Sequence, residues 1–68
     1  MNNTIQYKGY VGSVDFSEDD SIFYGKVLGI RSLISYEGEN VKEFIDDFYQ
    51  AVDDYLAFCH SENIQPEL

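Results

Sequence analysis

Sixty-eight residues make one small domain, of a size that buries only about 60% of its unfolded surface and folds marginally without a staple, metal or partner. A single Cys excludes an internal disulfide framework and fits a reducing, cytoplasmic setting. Thirteen acids against four bases give a formal charge of −9, which argues against direct nucleic-acid binding, since a phosphate backbone needs cations to displace its counterions. Met1 to Tyr10 has no apolar run of the signal-peptide kind, and no stretch approaches the length of a membrane span.

In chain order, Ile5 to Phe16 reads as a strand. Tyr10, Val14 and Phe16 share one parity and Tyr7, Val11 and Asp15 the other, so Tyr7 and Tyr10 are expected on opposite faces. Gly9 and Gly12 mark a bulge or a close backbone approach. Their spacing is no phosphate cradle, because the following Lys-Ser/Thr is missing and no helix opens there. Ser17 to Ser21 is a polar hairpin loop, without the alternating ligand pattern of a calcium site. Ile22 to Leu28 forms a second strand, Gly29 to Ser32 interrupts it, and Leu33 to Tyr36 forms a third. Three consecutive strands with short connections make an antiparallel meander.

The strongest pattern lies between Asn40 and Asn63. Val41, Phe44, Ile45, Phe48, Val52, Tyr55, Leu56 and Cys59 recur at helical spacing on one side, with Glu43, Asp46, Asp47, Gln50, Asp53 and Asp54 on the other. Asn40 with Glu43 has the form of a capping box, and Asn63 followed by Pro66 that of a stop. The expected fold class is α+β, a three-stranded antiparallel meander covered by one amphipathic helix. Ile64 to Leu68 is too short to complete a further element, so a fourth strand is expected to be missing or very short. An unpaired sheet edge on so small a core favours homo-oligomerisation.

Charge is distributed unevenly. Before Glu37 the balance is −1, and from Glu37 onward it is −8. A basic protein partner fits such a half-molecule, although a solvated acidic face also serves solubility. Catalytic constellations are sparse. Cys59 and His60 point about 100° apart on a helix and do not form a nucleophile and base pair, and Cys59 belongs to the apolar arc. Asp15 with Asp53 or Asp54 would resemble a two-metal nuclease site only if the helix acids turned toward the sheet, which the helical spacing opposes. No enzyme activity, metal or cofactor is expected. The aromatics Tyr7, Tyr10, Phe16, Phe23, Tyr24 and Tyr36 lack a basic groove for a nucleic acid and are expected to pack the core or a subunit contact.

The runs Tyr7 to Ser17, Phe23 to Arg31, Leu33 to Gly38 and Ala51 to Leu56 together resemble the toxin-neutralising domain of HicB-type antitoxins. The resemblance spans most of residues 7–58. It implies a partial RNase H-like fold, with three strands, a helix and a return strand, and a non-catalytic protein that binds and masks a small basic mRNA-cleaving toxin of the HicA type. Such proteins continue into a DNA-binding region, which residues 1–68 do not include, so operator binding is not expected of this domain. The resemblance carries no catalytic motif. Charge nominates Glu43, Asp46, Asp47, Asp53 and Asp54 as partner-binding residues, with the loop acids Glu18, Asp19 and Asp20 as a rival patch. The alternative reading is an orphan protein-binding module or transcriptional-regulator fragment without a toxin.

Overall fold

The computed structural model describes residues 3–68. Five strands and one helix follow in order: β1 (Thr4–Tyr7), β2 (Tyr10–Ser13), β3 (Asp15–Ser17), β4 (Ile22–Lys26), β5 (Ser35–Gly38) and α1 (Val41–Ser61). The fold is α+β, with every strand pair antiparallel. One sheet is the hairpin β1-β2 and the other is the meander β3-β4-β5. A bridge between Gly12 and Val27, supported by the Leu28 N–H donating to the Val11 carbonyl at 2.8 Å, joins them into one bent surface. Met1 and Asn2 lie outside the described residues.

The meander and helix match the sequence expectation, but the single first strand does not. Lys8 (φ 52) and Gly9 (φ 85) both adopt positive φ, the backbone of a tight two-residue hairpin turn. This turn folds Ile5 to Phe16 into β1 and β2, with β3 beyond a break at Val14. Tyr7 therefore pairs directly with Tyr10, and both face α1. Parity along an uninterrupted strand had placed them on opposite faces; a two-residue turn puts the flanking pair on the same side. The later strands shift as well: β4 ends at Lys26, β5 starts at Ser35, and Leu33 stands outside it, 82% exposed.

The core lies between the sheet and α1. Phe48, Val52 and Cys59 are essentially fully enclosed, and Tyr10, Val27, Tyr36 and Phe44 are buried with them. Tyr36 occupies the centre. Its ring packs on Phe44 and Phe48 at centroid distances of 5.2 and 4.8 Å, and its hydroxyl donates to the Ser13 carbonyl at 2.9 Å with the Lys26 carbonyl at 3.2 Å. Two glycines make room for it. A Cβ on Gly12 would stand 2.0 Å from the Tyr36 hydroxyl, and one on Gly25 would stand 2.0 Å from the Ser13 carbonyl oxygen. The close approach expected at Gly12 is thus the accommodation of a buried phenol. Burial drives the Tyr36 phenol pKa up to about 12.

Helix α1 begins as its sequence indicates, with the Asn40 side chain accepting from the Glu43 N–H at 2.9 Å. The return half of the capping box lands one residue early, because the Glu43 carboxylate accepts from the Glu39 N–H at 3.3 Å. At the other end Asn63 (φ 55) takes the left-handed position. The Ile64 N–H donates to Cys59 and the Asn63 N–H to His60, which closes the last carbonyls in a Schellman arrangement. Ile64 to Leu68 adds no strand. It folds back instead, with the Glu67 N–H donating to the Tyr55 hydroxyl at 2.9 Å. The Glu67 carboxylate accepts from the Arg31 and Ser32 N–H groups at 3.0 and 3.4 Å. Those donors, Arg31 first, hold its pKa below the usual carboxylate value.

Candidate protein-binding surface

The five helix acids form a stripe along α1, and the tertiary structure divides them. Asp47 lies on one flank, where its carboxylate accepts at 2.9 Å from the Glu37 N–H. That N–H points outward from β5, an edge strand with no ladder partner on that side, so Asp47 satisfies a donor that would otherwise be open for pairing. Asp53 lies on the opposite flank, over the Lys8–Gly9 turn. One oxygen meets the Lys8 ammonium at 2.8 Å and the other accepts from the Tyr7 hydroxyl at 3.2 Å. The helical spacing alone directs Asp53 to solvent. In the folded chain it is half-buried against β1 and β2, because the tight turn swings Tyr7 and Lys8 beneath the helix.

This corner is well ordered by contact. Tyr7 stacks on Tyr49 with centroids 4.2 Å apart, and the Lys8 ammonium lies 5.2 Å from the centre of the Tyr7 ring. The hydrogen bond from Lys8 is the leading cause that lowers the Asp53 pKa, and the same bond raises that of Lys8. Glu43, Asp46 and Asp54 form the solvent-facing middle of the stripe. Glu43 serves the helix start, as described above. Asp46 pairs with Lys42 at 2.9 Å in an exposed i,i+4 bridge, and Asp54 accepts from the Gln50 amide at 2.8 Å. Such exposed pairs are weak and readily exchanged, so these three carboxylates stay accessible to an incoming cation.

The rival loop is also exposed. The Asp20 N–H donates to the Ser17 hydroxyl at 3.3 Å, which fixes the turn and leaves Glu18 and Asp19 in solvent. The sheet separates the would-be nuclease carboxylates. Asp15 alternates with the inward-stacked Phe16 and so belongs to the outer face, opposite the helix that carries Asp53 and Asp54. Among the described residues no three His, Cys, Asp or Glu side chains come together as a metal site. Cys59 is buried in the core and His60 is exposed at the helix end. Among the described residues no helix is long and apolar enough to cross a membrane.

Comparison with known proteins adds no family. No protein-family model, no curated protein and no solved structure matches the chain.

The structural roles of Asp47 and Asp53 escape a reading by helical period. The signal for Asp53 is the Lys-Gly pair flanked by alternating apolar residues, a short hairpin motif of the kind more commonly written Asn-Gly. Nothing local announces Asp47, whose donor belongs to a strand ten residues earlier.

Proposed function

We propose that this chain is the neutralising domain of a toxin–antitoxin pair, which binds a small basic RNA-cleaving protein of the HicA type through its acidic helix. The RNase H-like scaffold serves as a support without chemistry of its own, and the site of action is the cytoplasm. The observation that carries this reading is the concentration of charge. Nearly all of the net −9 lies from Glu37 onward, and the middle of the stripe presents Glu43, Asp46 and Asp54 to solvent. A protein that grips RNA must present cations. A row of carboxylates accelerates encounter with those cations and competes with RNA for them.

The test is the association rate with a basic partner encoded beside this chain, measured at low and high salt. Replacing Glu43, Asp46 and Asp54 by Gln or Asn slows association at low salt by about tenfold or more, within the range of electrostatic steering, and flattens the salt dependence. An unchanged rate removes the role of the helix. Failure of the chain to protect RNA from that partner overturns the antitoxin reading as a whole.

A further inference from the structure

The sheet has a second face, which the helix does not cover. The strand registers lay it out in rows. At one end Val11 lies beside Leu28, with Leu33 beyond, 36%, 41% and 82% exposed respectively. The next row is Thr4, Ser13, Lys26 and Ser35. Then come Asp15, Tyr24 and Glu37, directly opposite one another across three strands. Ile22, paired with Ser17, closes the far end.

Three features of this face belong together. Tyr24 is 46% exposed, although aromatic rings elsewhere on the sheet find partners. Lys26 reaches no carboxylate of its own chain, since the ion pairs among the described residues are Lys8 with Asp53 and Lys42 with Asp46. Asp15 and Glu37 flank Tyr24 and are likewise unpaired. A shallow, mainly apolar dip beside Tyr24 is lined by Asp15, Tyr24, Lys26, Leu33 and Ser35.

We infer that the outer sheet face is a self-association surface whose occupant is a second copy of this chain, with Lys26 of each copy seated on Tyr24 between Asp15 and Glu37 of the other. A copy turned by half a revolution about an axis across the strands, passing between the Lys26 and Tyr24 rows, brings these groups together. One such rotation satisfies both lysines at once, as an isologous twofold interface requires. Each ammonium gains an aromatic face and two carboxylates. The same rotation sets Leu28 of one copy against Ile22 of the other.

Charge selects this face for a like molecule. Up to the end of β5 at Gly38 the chain that builds the sheet carries a balance of −2, whereas the part beyond it, with the helix, carries −7. Two sheets packed face to face lie about 10 Å apart. Their helices then lie on the two outer surfaces, separated by more than the roughly 8 Å Debye length of physiological salt. An approach through the helices would bring the two acidic stripes together. The arrangement leaves both stripes open and is independent of the proposed toxin partner.

Sedimentation equilibrium across concentrations tests the interface, with circular dichroism as the check on folding. The wild-type chain is expected to dimerise. Lys26→Glu weakens the dimer by about tenfold or more, since it sets a carboxylate against two others. The double variant Lys26→Glu with Glu37→Lys recovers part of the lost affinity, because the charges exchanged at positions 26 and 37 again attract across the twofold while Asp15 still opposes the new carboxylate. A wild-type chain that stays monomeric at every accessible concentration overturns the inference. So does a Lys26→Glu dimer of unchanged affinity, or a folded double variant that remains as weak as the single one.

Discussion

The two faces of the sheet are built from the same strands and differ in almost every physical respect. The inner face presents Tyr10, Val27 and Tyr36 to Phe44, Phe48 and Val52, all of them buried. The outer face mixes polar and apolar residues, and its largest side chain, Tyr24, is half open to solvent. Area removed from water is the dominant favourable contribution in a domain this small, so stability resides on the inner face. The outer face is free to be shaped by what it meets.

The contrast is broken most strongly at Phe48. Phe48→Ala is expected to cost about 3–5 kcal/mol, comparable with the whole stability of a small domain, and to abolish the cooperative urea transition. Tyr24→Ala on the outer face should stay within about 0.5 kcal/mol when measured at concentrations where the chain is monomeric. Similar losses for the two variants would show that the core has been placed on the wrong side.

Tyr36→Phe sharpens the comparison from within. It keeps the ring and removes one buried hydroxyl, at an expected cost of about 1–2 kcal/mol from the carbonyl it leaves unbonded. The same phenol gives a pH signature. Its folded pKa stands above the ordinary tyrosine value of about 10, at about 12. Its contribution is therefore complete below the ordinary value and is lost as pH rises through the folded one. Tyrosinate absorbance should show late-titrating phenols that ionise together with alkaline unfolding, Tyr36 and the buried Tyr10, whose pKa burial also raises, and Tyr36→Phe should reduce the amplitude of that step.

The smallest effect belongs to the Lys8–Asp53 pair at the edge between the regions. Asp53 has a lowered pKa, so its contribution is present above the ordinary carboxylate value and fades as pH falls through the folded one. Lys8 has a raised pKa, so its share is present below the ordinary lysine value and fades as pH rises through the folded one. Between those limits Asp53→Asn should lower the urea midpoint by less than Tyr36→Phe, and added salt should shrink the difference. Insensitivity to salt would mean that Asp53 acts by packing rather than by charge.

Much of this arrangement is legible in the residues alone. Asn40, the three- and four-residue recurrence from Phe44 to Cys59, and Asn63 are local signals, and a helix depends on neighbours within one turn, so its start, its inner face and its end follow from short stretches of chain. The loop at Ser17 to Ser21 and the α+β class follow for the same reason. The long-range features did not. A two-residue turn at Lys8 and Gly9 reverses which side Tyr7 faces, because strand parity survives only as long as the strand is unbroken. That reversal carries Lys8 to Asp53 and turns an apparent surface acid into a strap between helix and hairpin. Asp47 at the edge of β5 and Glu67 at the Arg31–Ser32 turn likewise meet backbone donors far away in sequence. Such pairings exist only once sheet and helix have docked: local periodicity sets which residues are polar, and only the packed chain sets which polar group each one finds.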